Sequence, residues 1–194
     1  LSYNARMTKL RSDAAVRRDL ILDAADAVFS EHGVTAPLDL VVERAGVGRA
    51  TLYRNFPDRG ALMEALLERN LQALEEHATV HANRDDLLFL LLERIAYRIV
   101  ESPAVTDYWR AVGYDHPIMD AVRGRVSRIF RAPVARAIDA GLCRPDLSLS
   151  DISLISGMLG AALRGRSPGN RRQLVKRALD LLRDGLAAPV AMER

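Results

Sequence analysis

Cysteine is nearly absent from this 194-residue chain, and aromatic side chains make up only 5% of it. Cys143 alone cannot form an intrachain disulfide, and its neighbours Arg144 and Asp146 give no metal-ligand spacing, so it reads as a structural residue in a loop. The longest apolar run, Leu87 to Leu92, is far shorter than the roughly 20 residues a membrane span needs. Leu1 to Arg11 lacks the apolar stretch and cleavage site of a secretory signal, so a cytoplasmic location and no membrane partner are expected. Alternating strands, hairpin turns, a Gly-rich phosphate loop, a G-x-S-x-G elbow and an H-E-x-x-H zinc motif are also missing. An enzyme is therefore not expected, nor a cofactor. His77 and His81, four residues apart with Glu76 beside them, are one way to begin a zinc site, but they lack clear further ligands and no metal is expected.

What remains is an ordinary globular composition, 49% hydrophobic and 27% charged, with apolar residues at helical spacing nearly everywhere. The expected fold is all-α, with about nine helices. Leu20, Ile21, Ala24, Val28 and Phe29 form the stripe of a first helix over about residues 14–32, ended by Gly33. Pro37 suits the first position of a second, with Leu38, Val41, Val42 and Ala45 as its inner face. After the Ala45-Gly46-Val47 turn, a very short third helix over about 48–55 carries Leu52 and Phe56 inward. Pro57 opens a longer fourth helix to about residue 80, with Leu62, Leu66, Leu67, Leu71 and Leu74 as its core face.

Farther on, Asn83 is the expected cap of a helix that starts with Asp85 and Asp86 and stops near Ser102-Pro103. Pro103, Pro117 and Pro133 divide the middle into pieces, each proline beginning a helix or kinking one. Two last helices, about 149–164 and 170–186, are separated by the breakers Gly165 to Gly169 and predict an antiparallel hairpin.

Two short helices joined by a Gly-containing turn, packed on a preceding helix, follow the helix-turn-helix plan, whose second short helix enters the major groove. Residues 44–60 set Arg44, Arg49, Arg54 and Arg59 against the single acid Asp58, a candidate phosphate surface in a chain of net charge only +3. Arg49, near the start of the reading helix, suits the guanine edge, and Ala50 is small enough to let the helix sit deep. Thr51 would reach phosphate or cap locally, Arg54 a base or the backbone, and Arg44 a flanking phosphate or solvent.

Phe29-x-x-x-Gly33, followed by Ala45-Gly46-Val47-Gly48-Arg49-Ala50-Thr51-Leu52-Tyr53-Arg54-Asn55-Phe56-Pro57-Asp58-Arg59-x-x-Leu62, resembles the DNA-binding signature of the TetR family of bacterial repressors. The resemblance covers roughly residues 15–62. It implies phosphate contacts from Tyr53, Asn55 and Arg59. The family usually carries Thr or Ser at the start of helix two, where Ala36 and Pro37 stand here, and Thr35 is the candidate substitute. Arg6, Lys9 and Arg11 make either a minor-groove arm or a tail, and the late Met7 assigns residues 1–6 to a vector.

The resemblance further implies a DNA-binding domain over 14–62 and a ligand-binding and dimerisation domain over 63–190. Its last two helices pair with those of a second copy in a four-helix bundle. Ile152, Ile155, Leu159 and Leu163 on one, and Leu174, Ala178, Leu181 and Leu182 on the other, are the expected homodimer stripes, with Gly157, Gly160 and Ala161 permitting close approach. Tyr97, Tyr108, Trp109, Tyr114, His116, Met119 and Phe130 are the candidate pocket lining, with core packing as the competing role. Together these predict a repressor that leaves a palindromic double-stranded operator when a small-molecule effector binds, with helix four as the lever. The alternative is a helical small-molecule sensor without DNA binding.

Overall fold

The computed structural model describes the backbone of residues 2–113 and 115–187 and the side chains from residue 13 onward. Among these residues it is all-helical, with nine α-helices and no strand. They are α1 (Ser2–His32), α2 (Leu38–Ala45), α3 (Arg49–Asn55), α4 (Arg59–Val80), α5 (Leu87–Glu101), α6 (Pro103–Val112), α7 (Pro117–Asp139), α8 (Leu149–Leu159) and α9 (Pro168–Leu186). A 3-10 turn over Gly160–Arg164 follows α8 directly. The contact pattern divides the chain between Glu68 and Arg69, within α4.

In the first unit, α1 packs against α2 and α2 against α3. Ile21, Ala24, Ala25, Val28 and Phe29 of α1 are buried, as are Val41, Leu52, Phe56, Leu62 and Leu66. Leu20, expected in that stripe, is exposed instead, because Ile21 and Ala25 take the inward positions. α1 also begins well before residue 14: no glycine or proline interrupts residues 1–32, so nothing stops the helix from extending backward.

The N-termini refine three further expectations. Pro37 is the cap residue of α2, just outside it, with an extended ψ of 136°. α4 starts at Arg59 rather than at Pro57, because the Asp58 carboxylate accepts from the Ala61 amide at 2.8 Å and so caps it. Asn83 caps nothing: α5 begins at Leu87 after Asp86, whose carboxylate is held by Arg84 at 2.7 and 2.8 Å.

The second unit is built around α5, which packs against α6, α7, α8 and α9. Leu87, Leu88, Leu91, Leu92, Ala96 and Val100 turn inward around much of its circumference. Pro103 and Pro117 begin α6 and α7, whereas Pro133 lies inside α7, buried, and does not end it. Ser148 and Asp151 form a capping box on α8, and the Ser167 hydroxyl accepts from the Asn170 amide at the start of α9. Pro168 is thus the first residue of α9 rather than part of the preceding loop. Cys143 is buried in the α7–α8 connection, where desolvation raises its thiol pKa.

Leu88 is fully buried at the centre of this core. Leu88→Ala is expected to cost about 2–5 kcal/mol through lost transfer energy and the cavity left behind. Chemical denaturation checks it; a loss below about 1 kcal/mol would mean α5 is not the centre of the unit.

Candidate nucleic-acid interface

Three local devices set the reading helix. Gly46 adopts φ +64° and ψ 30°, the left-handed geometry that ends α2 and that a side chain disfavours. The amides of Gly46 and Val47 close that end onto Glu43 and Val42 oxygens at 3.2 Å each. Gly48, extended, then caps α3, its carbonyl accepting from Thr51 and Leu52 at 2.9 and 3.2 Å. Leu52 and Phe56 lock the inner side of α3, with the Arg18 guanidinium 4.4 Å from the Phe56 ring centre.

With those anchors inside, Arg49, Ala50, Tyr53 and Arg54 face solvent together on the first unit, and Thr51 and Asn55 are half-buried beside them. Tyr53 is 49% exposed, which excludes it from the core. The basic residues are each already engaged. The Arg49 guanidinium donates to the Asp39 carboxylate at 2.6 Å, on the preceding helix. Arg44 pairs with Glu31 at 2.8 Å, and the hydrogen bond from Arg44 holds that carboxyl below its ordinary pKa. Arg54 donates to the Ala50 carbonyl at 3.1 Å and to the Thr51 hydroxyl at 3.4 Å. Asn55 donates to the Thr51 carbonyl at 2.7 Å, so its amide nitrogen works within α3.

Two expected contacts sit in the α1–α2 connection. Thr35 is exposed there. Arg59 turns its guanidinium back from the first turn of α4 and donates to the carbonyls of Val34 and Ala36. Sequence spacing did not anticipate this placement, nor the acid partners Asp39 and Glu31. The signal available was their sign, opposite to the arginines, on helices that any helix-turn-helix brings together.

The second unit holds the candidate sensor residues, and it does not gather them into one cavity. An open cleft of about 230 Å³ lies between α5 and α9, lined by Phe89, Leu92, Glu93, Tyr97, Lys176, Leu179, Asp180, Leu182, Arg183 and Leu186. Of the expected set only Tyr97 lines it. Tyr108, Trp109 and His116 form a separate cluster, with ring centres 5.0 Å apart for the first pair and 6.1 Å for the second. Trp109 is 9% exposed, and its indole Nε1 is buried without a hydrogen-bond partner. Met119 lies half-buried in the first turn of α7, where the His116 side chain accepts from Ile118. Phe130 is fully buried in the apolar core, which corrects its assignment to a lining. Tyr114 lies outside the described residues.

The dimer stripe also needs correction. Ile152, Ile155 and Leu159 are buried in the protomer's own core, and Leu163, Ala178 and Leu182 pack against it. Gly160 is buried too; a Cβ there would meet the Arg110 guanidinium at 2.5 Å, so its smallness serves this intrachain contact. The exposed apolar residues lie one step around the same helices: Leu154 at 63% and Met158 at 53% on α8, with Leu174 and Leu181 on α9. Gly157 and Ala161 share that exposed side of the chain, with open space beyond Gly157. Leu154 and Met158 were missed because α8 is apolar on nearly every side.

On α4 the rings of His77 and His81 meet edge to face, 4.5 Å between centres, and burial and the neighbouring His81 lower the His77 pKa. Among the described residues no group of three His, Cys, Asp or Glu is placed to hold a metal, and no helix is long and apolar enough to cross a membrane.

A family model described as bacterial regulatory proteins, tetR family, matches residues 21–66. The HTH-type transcriptional repressor KstR of Rhodococcus jostii (strain RHA1) is 33% identical over 94 residues, which span 47% of this chain and 44% of the repressor, less than half its length. The TetR transcriptional regulator SCO0520 from Streptomyces coelicolor is 32% identical in a superposition with TM-score 0.62, covering 89% of this chain and 99% of that one. A TetR transcription regulatory protein from Mycobacterium vanbaalenii is 27% identical with TM-score 0.65, covering 92% and 99%. Each of these relatives carries a regulator's name rather than an enzyme's.

Proposed function

The chain belongs to the TetR family of bacterial regulatory proteins, and from that premise we propose that it is a dimeric repressor released from a palindromic operator by a small-molecule effector. That it is a transcriptional regulator of this family follows from the relatives; repression is supported by the repressor among them. The observation that carries the DNA reading is the outward group of Arg49, Ala50, Tyr53 and Arg54 on a helix whose other side is fixed by Leu52 and Phe56. Arg49 reads a guanine edge; Tyr53 and Thr35, with Thr51, Arg54, Asn55 and Arg44 around them, meet phosphates. The unit ending at Glu68 binds DNA, and the unit from Arg69 senses and dimerises.

The paired arginines bear on how this surface works. Asp39 and Glu31 neutralise two of its cations before DNA arrives, so non-specific attraction is muted and engagement requires exchanging a carboxylate for a base or phosphate. Fluorescence anisotropy with duplex DNA at two salt concentrations tests the reading. Salt-sensitive binding is expected, and its absence for every duplex tried would favour a sensor without DNA binding.

For the sensor, the supporting observation is the unpartnered Trp109 Nε1. A buried N–H without an acceptor costs about 1–3 kcal/mol, a cost that an effector carrying a hydrogen-bond acceptor on an apolar body would remove. Trp109 is the sole tryptophan, so its emission reports on that cluster alone. A screen for compounds that lower DNA affinity is expected to return ligands that shift Trp109 emission, with Trp109→Phe weakening their effect about tenfold, as for one lost hydrogen bond. An effective inducer that leaves the emission unchanged would place the pocket elsewhere, with the cleft beside Tyr97 as the next candidate.

A further inference from the structure

We propose that Arg59 acts as a positioning residue, stapling the α1–α2 connection so that Thr35 and the start of α2 meet the DNA backbone, and not as a phosphate contact itself. The inference rests on the DNA-binding reading above and changes the part that Arg59 plays in it.

Arg59 sits in the first turn of α4, yet both terminal nitrogens of its guanidinium reach back across the chain. One donates to the carbonyl of Val34, the other to that of Ala36 at 2.6 Å. These two residues flank Thr35, which is exposed. The guanidinium carbon lies 5.3 Å from the ring centre of Phe29, itself 1% exposed, so the fork is turned toward the interior. Nothing else holds this segment so directly. Gly33 leaves α1 with φ +83°, and Ala36 bonds back to Gly33 at 3.1 Å, which makes the turn but leaves the carbonyls of Val34 and Ala36 as its outward acceptors.

The chemistry of the residue matters here. A planar fork with two terminal donors bridges two carbonyls two residues apart; a lysine ammonium has the same charge and length to spare but no such geometry. A phosphate contact asks mainly for a positive charge facing outward. Charge and geometry can therefore be separated by one substitution.

The test uses the full chain and a duplex that the unchanged protein recovers from a randomised pool. In Arg59→Lys, affinity is expected to fall at least tenfold while the slope of log affinity against log salt stays that of the unchanged protein. Thr35→Ala is expected to weaken binding in the unchanged background and to add nothing in Arg59→Lys, a coupling that general loss of stability would not produce. Amide exchange over residues 36–41 is expected to speed in Arg59→Lys with exchange in α5 unchanged, and this arm needs no DNA. The proposal is overturned if Arg59→Lys binds within about twofold of the unchanged chain, if Arg59→Ala lowers the salt slope by about 1, as a lost phosphate contact does, or if exchange over 36–41 is unaltered. Failure of the unchanged protein to recover any duplex would instead count against the regulator reading, and the exchange measurement would then decide the staple by itself.

Discussion

Arg49→Ala is expected to remove sequence-specific DNA binding while leaving the fold intact. The side chain is exposed and its one recorded partner is Asp39, so no core packing is lost. An arginine paired bidentately with guanine contributes about 1–3 kcal/mol of discrimination. A twofold dimer makes the contact in each half-site, so roughly 2–6 kcal/mol is at stake, on the order of 30-fold to 10⁴-fold in affinity. The loss should fall on the recovered duplex and spare a scrambled one. Asp39→Asn provides the control: it removes a carboxylate from the DNA-facing side, so scrambled duplexes should bind more tightly and specificity should narrow. An equal loss on both duplexes in Arg49→Ala, with a reduced salt slope, would make Arg49 a phosphate contact instead.

A comparable effect is expected from Leu154→Asp, in a different part of the molecule. Leu154 is 63% exposed on α8, in line with Met158 and accompanied on α9 by Leu174 and Leu181. Four large apolar side chains left in water are the surface an obligate pairing of copies would cover. In a twofold interface each substitution enters twice, so two carboxylates would be desolvated against apolar neighbours. Sedimentation is expected to show a monomer. Operator affinity should drop at least 100-fold, because one protomer can hold only one half-site. Its melting temperature at a concentration where the unchanged chain is dissociated should be unchanged, since Leu154 contributes little to its own protomer's core. A Leu154→Asp protein that remains dimeric would move the interface off this face.

The contrast between these two residues shows what the sequence made legible. Gly33, Gly46 and Pro37 punctuate the chain where only a turn tolerates them, and Leu52 with Phe56 can only be the inside of so short a helix. The reading helix and its outward side therefore followed from local chemistry. α8 offered no such constraint. Ile152, Ile155 and Leu159 satisfy the helical period, but so do Leu154, Met158 and Ala161. A helix apolar all round does not say which stripe it keeps for itself, and only the packing of α8 on α5 and α7 decides it.

Arg59 failed to be legible for another reason. A guanidinium serves a phosphate and a pair of carbonyls equally well, and the carbonyls of Val34 and Ala36 are distant in sequence. The aromatic set divides in the same way: Phe130 fills the core, Tyr97 borders the cleft, and Trp109 buries a donor without an acceptor. Composition could mark these residues as special without saying which would be spent on stability.

The most direct test of the account is selection of duplexes from a randomised DNA pool by the unchanged chain, followed by footprinting of the recovered sequence. The account predicts an inverted repeat whose half-site centres lie one helical turn, about 34 Å, or a multiple of it apart. Protection should cover both half-sites together and disappear with Arg49→Ala. A pool no richer in any sequence than the input would contradict it, leaving a helical sensor whose exposed arginines serve only their carboxylate partners.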